Sequence, residues 1–429
     1  MDSSSHSDAG ARSRSKTMRN TGGHLGSAQS LGADILCAIF TLLDHFDLVR
    51  CSAVCKSWQK IIYTSTLVED LYYKKNPCAK YDKSFPQASI ATLKDLALEQ
   101  HRVSFLSGST EIHQWNGHSS RVNICRMKRG VILTGGEDKL LRLWSSENYK
   151  CLNQYSFSGL DPLVDFDFDE NKIVGITGSQ LCIWRRNGRR SVFRSRESTL
   201  TRGLCMGYID PEAAMGCEDG RARIFDLYSG SCTRIIRMHS APLTCIALTE
   251  DQLILGGSTY GHVAIADISS GERLGFLKSS ISPTGMKTLF VNTSSYRVYA
   301  GSTSGYAHCW DLRTLRPLWE TRASPNVIYG VHHLANYSSS LAVGGLDGVL
   351  RILNQDTGEV LSSFVADAAP TRNDRDVVEV IKGRSLADDS NLDSIPRYRR
   401  PPITRLAVGM NKIVTTHGQK YIRMWRFSA

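Results

Sequence analysis

The chain is 429 residues long, 41% hydrophobic and 22% charged, the balance of a soluble globular protein with room for two or three domains. Its formal charge of +11 favours acidic partners, whether nucleic acid or acidic protein segments, and carries no information on fold. No secretory signal opens it and its longest apolar stretch, Ile35 to Leu43, is too short to span a bilayer, so the cytoplasm, the nucleus or both are expected and no membrane partner is.

Residues 1–30 are rich in Ser, Gly and Arg and nearly devoid of apolar side chains, which predicts a disordered tail. Composition then changes abruptly at LGADILCAIFTLLDHFDLVRCSAVCKSWQKII. Ile35, Ile39, Leu42 and Leu43 recur at helical spacing, with Leu36 and Phe40 widening the stripe. Asp47 is placed to cap a second helix beginning at Leu48, and Val54, Trp58, Ile61 and Ile62 mark a third. Three helices this apolar carry more hydrophobic surface than they can bury among themselves, so some of it must meet a partner or the rest of the chain.

Leu31, Asp34, Ile35, Leu36, Ile39, Leu48, Cys51, Val54, Cys55, Lys56 and Trp58 sit at the spacing of the F-box motif, which residues 31–65 resemble. Gly32 stands where many members have Pro, and His45-Phe46 replaces another Pro. The resemblance implies docking to a Skp-family adaptor, and through it to a cullin-RING ligase, by Leu31, Ile35, Leu36, Ile39, Leu42, Leu43, Leu48, Val54, Cys55, Lys56 and Trp58. Residues 66–100 read as a helical linker, with helices over Leu67 to Lys75 and Ile90 to His101.

From residue 101 to 429 a unit of about forty residues repeats. A Gly-Gly or Gly-Ser pair and a small polar residue precede a short strand ending in Trp or its replacement, as in GGEDKLLRLW, GCEDGRARIF and GGLDGVLRIL. Trp144, Trp184, Phe225, Ala266, Trp310, Leu353 and Trp425 are the equivalent positions, spaced 40, 41, 41, 44, 43 and 72. Each unit is a run of short β-branched strands punctuated by Gly, Asp and Asn, a small sheet that must be covered on both faces. Seven such sheets in a ring cover one another.

These units resemble the WD-repeat propeller family. The resemblance predicts a mainly β fold, a seven-bladed propeller preceded by the three-helix F-box and helical linker. It makes His118, Thr134, Asp138 and Trp144 a buried hydrogen-bonded network, with Asp219, Asp347, Trp310 and Trp425 as related structural positions. The last unit has only three strands of its own, so the segment 102–115 is expected to close it as a fourth, since an open edge would invite aggregation.

An insertion, 366–402, separates the sixth and seventh units and ends in Arg397, Tyr398 and Arg399. It is expected to project as a loop, and these residues are candidates for substrate binding. Arg202 and Arg405 occupy like places in LTRGL and ITRLA and are expected at the channel mouth, where arginine suits carboxylate or phosphate. Seven arginines between Arg185 and Arg202 form the densest basic cluster, with the single aromatic Phe193 too little for base stacking.

The twelve cysteines are scattered, and Cys51 and Cys55 have no second pair at zinc spacing, so reduced thiols and no metal are expected. No phosphate loop, HExxH or GxSxG motif is present, so neither a cofactor nor a catalytic residue is expected. The combined reading is a substrate-recognition subunit of a Skp–cullin–F-box ubiquitin ligase, its propeller binding an unidentified protein substrate. A WD-repeat scaffold in a nuclear or RNA-associated assembly is the alternative.

Overall fold

The computed structural model describes residues 31–43, 45–75, 90–107, 109–157, 161–178, 180–188, 191–194, 201–281, 284–334, 339–366, 378–386, 392, 394–397, 399–409 and 411–428. They divide into two compact units after Ala97. The tail 1–30 lies outside the described residues. Among the described residues no helix is long and apolar enough to cross a membrane.

The first unit is helical: α1 (Ala33–Phe40), α2 (His45–Val54), α3 (Lys56–Thr64), α4 (Leu67–Lys75) and the start of α5 (Ile90–Ser107). Asp34 sits in the first turn of α1, where a carboxylate complements the helix dipole. The helix α2 begins at His45 rather than Leu48, so Asp47 lies in its first turn instead of capping it. At α3 the Cys55 sulfur caps the helix by accepting from the Trp58 backbone N–H at 3.5 Å. Leu36 and Phe40, one turn apart on α1, enter a core with Leu48, Ile62, Leu67, Val68 and Leu93. Trp58 packs edge-on against Phe40, with ring centroids 5.4 Å apart.

The second unit holds the strands. Among the described residues twenty-nine strands form five four-stranded sheets and one nine-stranded sheet, all antiparallel. They make seven blades with one strand to spare. The inner strands Val122–Lys128, Leu163–Phe168, Gly203–Ile209, Leu243–Leu248, Met286–Asn292, Ile328–His333 and Arg405–Val408 pack in succession, and the last meets the first to close the ring. The sequence repeat maps onto the third strand of each blade.

The second strand of each blade is buried along nearly its whole length, as in Val131–Gly136, because a neighbouring blade covers each face. That is why these strands are apolar or small throughout instead of alternating. Gly135 is one consequence: a Cβ there would come within 2.5 Å of Leu163 in the next blade. Gly348, at φ +75° in the turn after Asp347, is another, since a Cβ would strike the Arg400 carbonyl oxygen at 2.2 Å.

The seventh blade takes its fourth strand from the start of the unit. Ser109–Asn116 pairs with Tyr421–Ser428 along its full length, from Ser109 opposite Ser428 to Asn116 opposite Tyr421. The closing strand is shorter than the expected 102–115: Arg102 to Ser107 continue α5. Phe105 explains the helix, because it is fully buried against Phe427, at 4.4 Å between ring centroids, and its carbonyl accepts from the Ser362 hydroxyl at 2.9 Å.

The insertion is likewise not only a loop. Its residues Glu379–Leu386 form the spare strand, which bridges two blades. Glu379 to Lys382 pair with the closing strand, and Gly383 to Leu386 pair with the outer strand of blade six, Val360–Ala366. Blades six and seven thereby become one continuous sheet.

Candidate functional site: an apolar helical row and a basic channel

Two surfaces could serve recognition. The first is on the helical unit. Ile35 and Ile39 lie one turn apart on α1, on a face rotated away from Leu36 and Phe40, with Leu31 just before the helix and Leu42 just after it, and all four are exposed, Leu42 to 85%. Val54 at the end of α2 is also exposed, at 59%, and Lys56 is exposed beside it. Other expected docking residues have different roles. Leu36 and Leu48 are buried in the core and offer no surface, a correction that follows from their facing α3 and α4. Leu43 and Trp58 are partly buried against that core, and half-buried Cys55 is the α3 cap.

The blade residues are structural. In blade one the His118 Nδ1–H donates to Asp138 at 2.9 Å, the Thr134 hydroxyl donates to His118 Nε2 at 2.8 Å, and Trp144 Nε1–H donates to Thr134 at 2.8 Å. This direction of donation is that of the neutral ring protonated on Nδ1. Burial pushes the His118 pKa down, against the pull of Asp138. Burial alone would raise the Asp138 carboxyl, but His118, the Ser119 N–H and Arg142 outweigh it and hold it below the usual carboxylate range.

Blade seven builds a second such relay that motif reading overlooked. Trp425 Nε1–H donates to Thr415 at 2.9 Å, and Thr415 in turn bonds His417 Nε2 at 2.9 Å. His417 Nδ1–H donates to the Pro402 carbonyl at 3.0 Å, so a backbone oxygen replaces the aspartate. The available signal was the Thr-x-His spacing ten residues before the strand-ending Trp.

Asp138, Asp219 and Asp347 are each followed four residues later by an arginine that binds them: Arg142 at 3.0 Å, Arg223 at 2.9 Å and Arg351 at 2.5 Å. The Asp-x-x-x-Arg spacing was legible in the sequence. It arises because the turn aspartate and the arginine at the second or third residue of the following strand lie on one side of the hairpin. The Asp347–Arg351 pair is wholly buried. Trp310 departs from the pattern, donating to the Lys278 carbonyl at 2.9 Å and stacking on His308.

The second surface is the central channel. A cavity of about 210 Å³ is lined by residues from all seven inner strands, among them Arg126, Asp165, Asp167, Lys287, His332 and Arg405. Arg405 reaches it and Arg202 does not. Arg405 stands opposite Thr416, which pairs with Ile422; the corresponding ladder in blade three is Cys205, Gly216 and Ala222. Register therefore makes Cys205 the counterpart of Arg405, while exposed Arg202 precedes its inner strand. Burial, then Arg126 and Arg405, push the His332 pKa down to about 3.

Arg397 and Arg399 are exposed and are not among the cavity-lining residues; Tyr398 lies outside the described residues. Arg400 instead anchors this end of the insertion, donating to the carbonyls of Ile395 at 3.0 Å and Asp347 at 3.2 Å. Of the arginine cluster, Arg189, Arg190 and Arg196 lie outside the described residues. Among the described residues no group of His, Cys, Asp and Glu could hold a metal ion, and no cysteine is in a disulfide. Burial pushes the channel thiol of Cys245 up to about 11, which keeps it protonated.

A ring of seven four-stranded blades with this His–Asp–Thr–Trp network, together with a helical core that leaves an apolar row outside, defines a WD-repeat propeller combined with an F-box. The F-box-like family profile matches residues 30–74, and the profile of the WD domain, G-beta repeat, matches residues 109–145. The chain is 42% identical to an F-box/WD-40 repeat-containing protein of Arabidopsis thaliana, over 94% of this chain and 95% of that one. It therefore belongs to the F-box/WD-40 repeat family.

Cell division control protein 4 of Saccharomyces cerevisiae is 22% identical over 52% of this chain and 25% of its own length. A crystal structure of the computationally designed Ika8 protein shares the fold, with a TM-score of 0.54, 16% identity and coverage of 73% of this chain and 86% of that one. An F-box with WD repeats is the general layout of a Skp–cullin–F-box substrate receptor, and proteins so built are typically non-catalytic adaptors.

Proposed function

We propose that this protein is the substrate-recognition subunit of a Skp–cullin–F-box ubiquitin ligase. Its helical unit docks the Skp-family adaptor, and its propeller holds a protein substrate for ubiquitination. The observation that carries the reading is the row of Leu31, Ile35, Ile39 and Leu42, exposed beside a core already filled by Leu36, Phe40, Leu48 and Ile62. A small unit that leaves four large apolar side chains in water, when its core is complete without them, presents a docking surface. No catalytic side chain is required of this chain. The contribution is positional, a raised effective concentration of substrate near the conjugating enzyme.

The row and the core give separable variants. Ile35→Ala with Ile39→Ala and Leu42→Ala removes exposed groups only, so thermal unfolding of the full chain should stay close to wild type while recovery of Skp-family adaptor in a pull-down with purified proteins falls at least tenfold. Equal recovery by the triple variant and the wild type refutes the docking role.

A further inference from the structure

The outer edges of two neighbouring blades are basic and free of acid. In blade two the third strand, Gln180–Arg185, and the outer strand, Ser191–Arg194, hold two arginines and no Asp or Glu. In blade three the outer strand, Cys232–Arg237, holds Arg234 and Arg237 and again no acid. Each outer strand is the last of its four-stranded sheet, and the inner strands of the two blades pack together. By contrast the outer strand of blade one, Cys151–Ser156, is uncharged, and that of blade five, Arg316–Arg322, includes Glu320.

Strand register sets like charges against each other. Arg237 stands directly opposite Arg221, and Arg185 directly opposite Lys172, pairs that repel across antiparallel strands. The nearby acids are already engaged. Lys172 is held by Asp210, and Asp219 takes Arg223 at 2.9 Å and reaches Arg221 at 4.0 Å. Asp226 accepts from the N–H groups of Tyr228 and Ser229 at 3.0 and 3.4 Å. Glu218 stands on the inner side of blade three, its N–H bonded to the carbonyl of Arg202, which precedes the inner strand. Among the described residues Arg185, Arg234 and Arg237 are exposed and have no carboxylate within ion-pair distance. Arg234 and Arg237 are three positions apart, so they leave opposite faces of the strand and flank its edge about 10 Å apart.

A protein interface needs large apolar anchors at its centre, and Ile235, 56% exposed, is the one such side chain that the outer strand of blade three presents. Base stacking needs aromatic platforms, and that strand has none. A phosphodiester backbone needs neither, because guanidinium forks set along an edge meet successive phosphates. The formal charge of +11 adds long-range attraction. We propose that the outer edges of blades two and three form a nucleic-acid-binding surface, in which Arg185, Arg234 and Arg237 grip the phosphate backbone without reading base sequence. The inference concerns the propeller alone and does not depend on adaptor docking.

Binding of the full-length chain to a fluorescent mixed-sequence RNA oligonucleotide, and separately to a DNA duplex of equal length, is measured by anisotropy between about 50 and about 200 mM salt. The expected result is saturable binding of at least one, with log affinity falling linearly against log salt and unchanged for a second, unrelated sequence. Saturation by RNA alone assigns single strands, by the duplex alone a double helix, and by both a backbone in either form. Arg234→Gln with Arg237→Gln should weaken binding at least tenfold at the lowest salt and reduce the salt slope by about two. Arg316→Gln with Arg322→Gln removes the same charge from the edge of blade five and should change affinity less than about threefold. Without nucleic acid the blade three pair should melt no lower than wild type, since neither arginine has a partner to lose. No binding of either probe at about 50 mM salt, equal losses from the two pairs of substitutions, or a lowered midpoint for the blade three pair overturns the proposal. So does displacement of the oligonucleotide by polyglutamate at equal charge concentration, which would assign an acidic protein instead.

Discussion

The side chain of Asp347 illustrates how the repeat uses charge in its interior. Its carboxylate is completely buried and accepts from Arg351, from the Ser324 hydroxyl at 3.0 Å and from the Val349 N–H at 3.2 Å. Ser324 stands four residues before its inner strand, the place that His118 occupies in blade one. A buried pair is weak evidence for net stability, but removing one partner leaves the other ionised without compensation. Asp347→Asn keeps the shape and strands the Arg351 guanidinium, so it should cost about 3–5 kcal/mol in denaturant unfolding. A cost under about 1 kcal/mol would mean that the guanidinium finds water and that the pair is not sealed. The same reading makes Asp138 and Asp219 parts of the scaffold and leaves the recognition chemistry to residues outside the blade networks.

At the scale of elements, the spare strand is the feature that sets this propeller apart from a plain seven-fold repeat. Glu379–Leu386 runs between the outer strands of blades six and seven, with Ile381 opposite Ile112 and buried in the core that also holds Phe105, Phe364 and Phe427. Val380, its neighbour, points the other way and is 59% exposed. Adjacent residues of a strand face opposite sides, so the two give a matched test. Ile381→Ala should destabilise by about 2–4 kcal/mol in chemical unfolding and Val380→Ala by less than about 0.5 kcal/mol. Equal effects would show that the strand is not seated. The run VVEVI is itself strand-like, yet spacing of the repeat alone assigns it to a connecting segment, because it has no counterpart in the other six units.

For the molecule as a whole, buried histidines link folding to pH. His118 and His417 are both held below the ordinary histidine pKa, first by burial, and both act as neutral rings in their relays. As pH falls through about 6.5 the unfolded chain takes up these protons and the folded chain does not, so stability declines with acid from there downward. Asp138, depressed in the fold, holds its contribution above about pH 4 and loses it only below that. The melting midpoint should therefore fall between pH 7 and pH 5, before any carboxylate is protonated, and fall again below about pH 4. His417→Gln should lower the midpoint at pH 8 yet flatten the first decline. A midpoint constant from pH 7 to pH 5 in the wild type would exclude neutral, buried relays.

Much of this was legible in the residues. Repeats near forty residues marked seven blades, because each blade is one local hairpin meander whose turns demand Gly and Asp at fixed offsets. The F-box segment was equally plain, since three short helices with apolar spacing are also a local pattern. The relay of His118, Thr134, Asp138 and Trp144 was implied by the resemblance to the WD-repeat family, and all four lie within one unit.

What tertiary structure decided depends on pairing between distant segments. Helical spacing marked Leu31, Ile35, Leu36, Ile39 and Leu48 alike as apolar, but only packing of α1 and α2 against α3 and α4 separates the buried Leu36 and Leu48 from the exposed row. Similar tripeptides made Arg202 and Arg405 look equivalent; strand register, which sequence does not reveal across a turn of different length, put one in the channel and the other outside it. The spare strand and the end of α5 at Ser107 are likewise long-range outcomes, drawn by apolar contacts with segments hundreds of residues away in the chain. Local periodicity writes the elements into the sequence, whereas the side of each element that meets water is settled by which other element lies across from it.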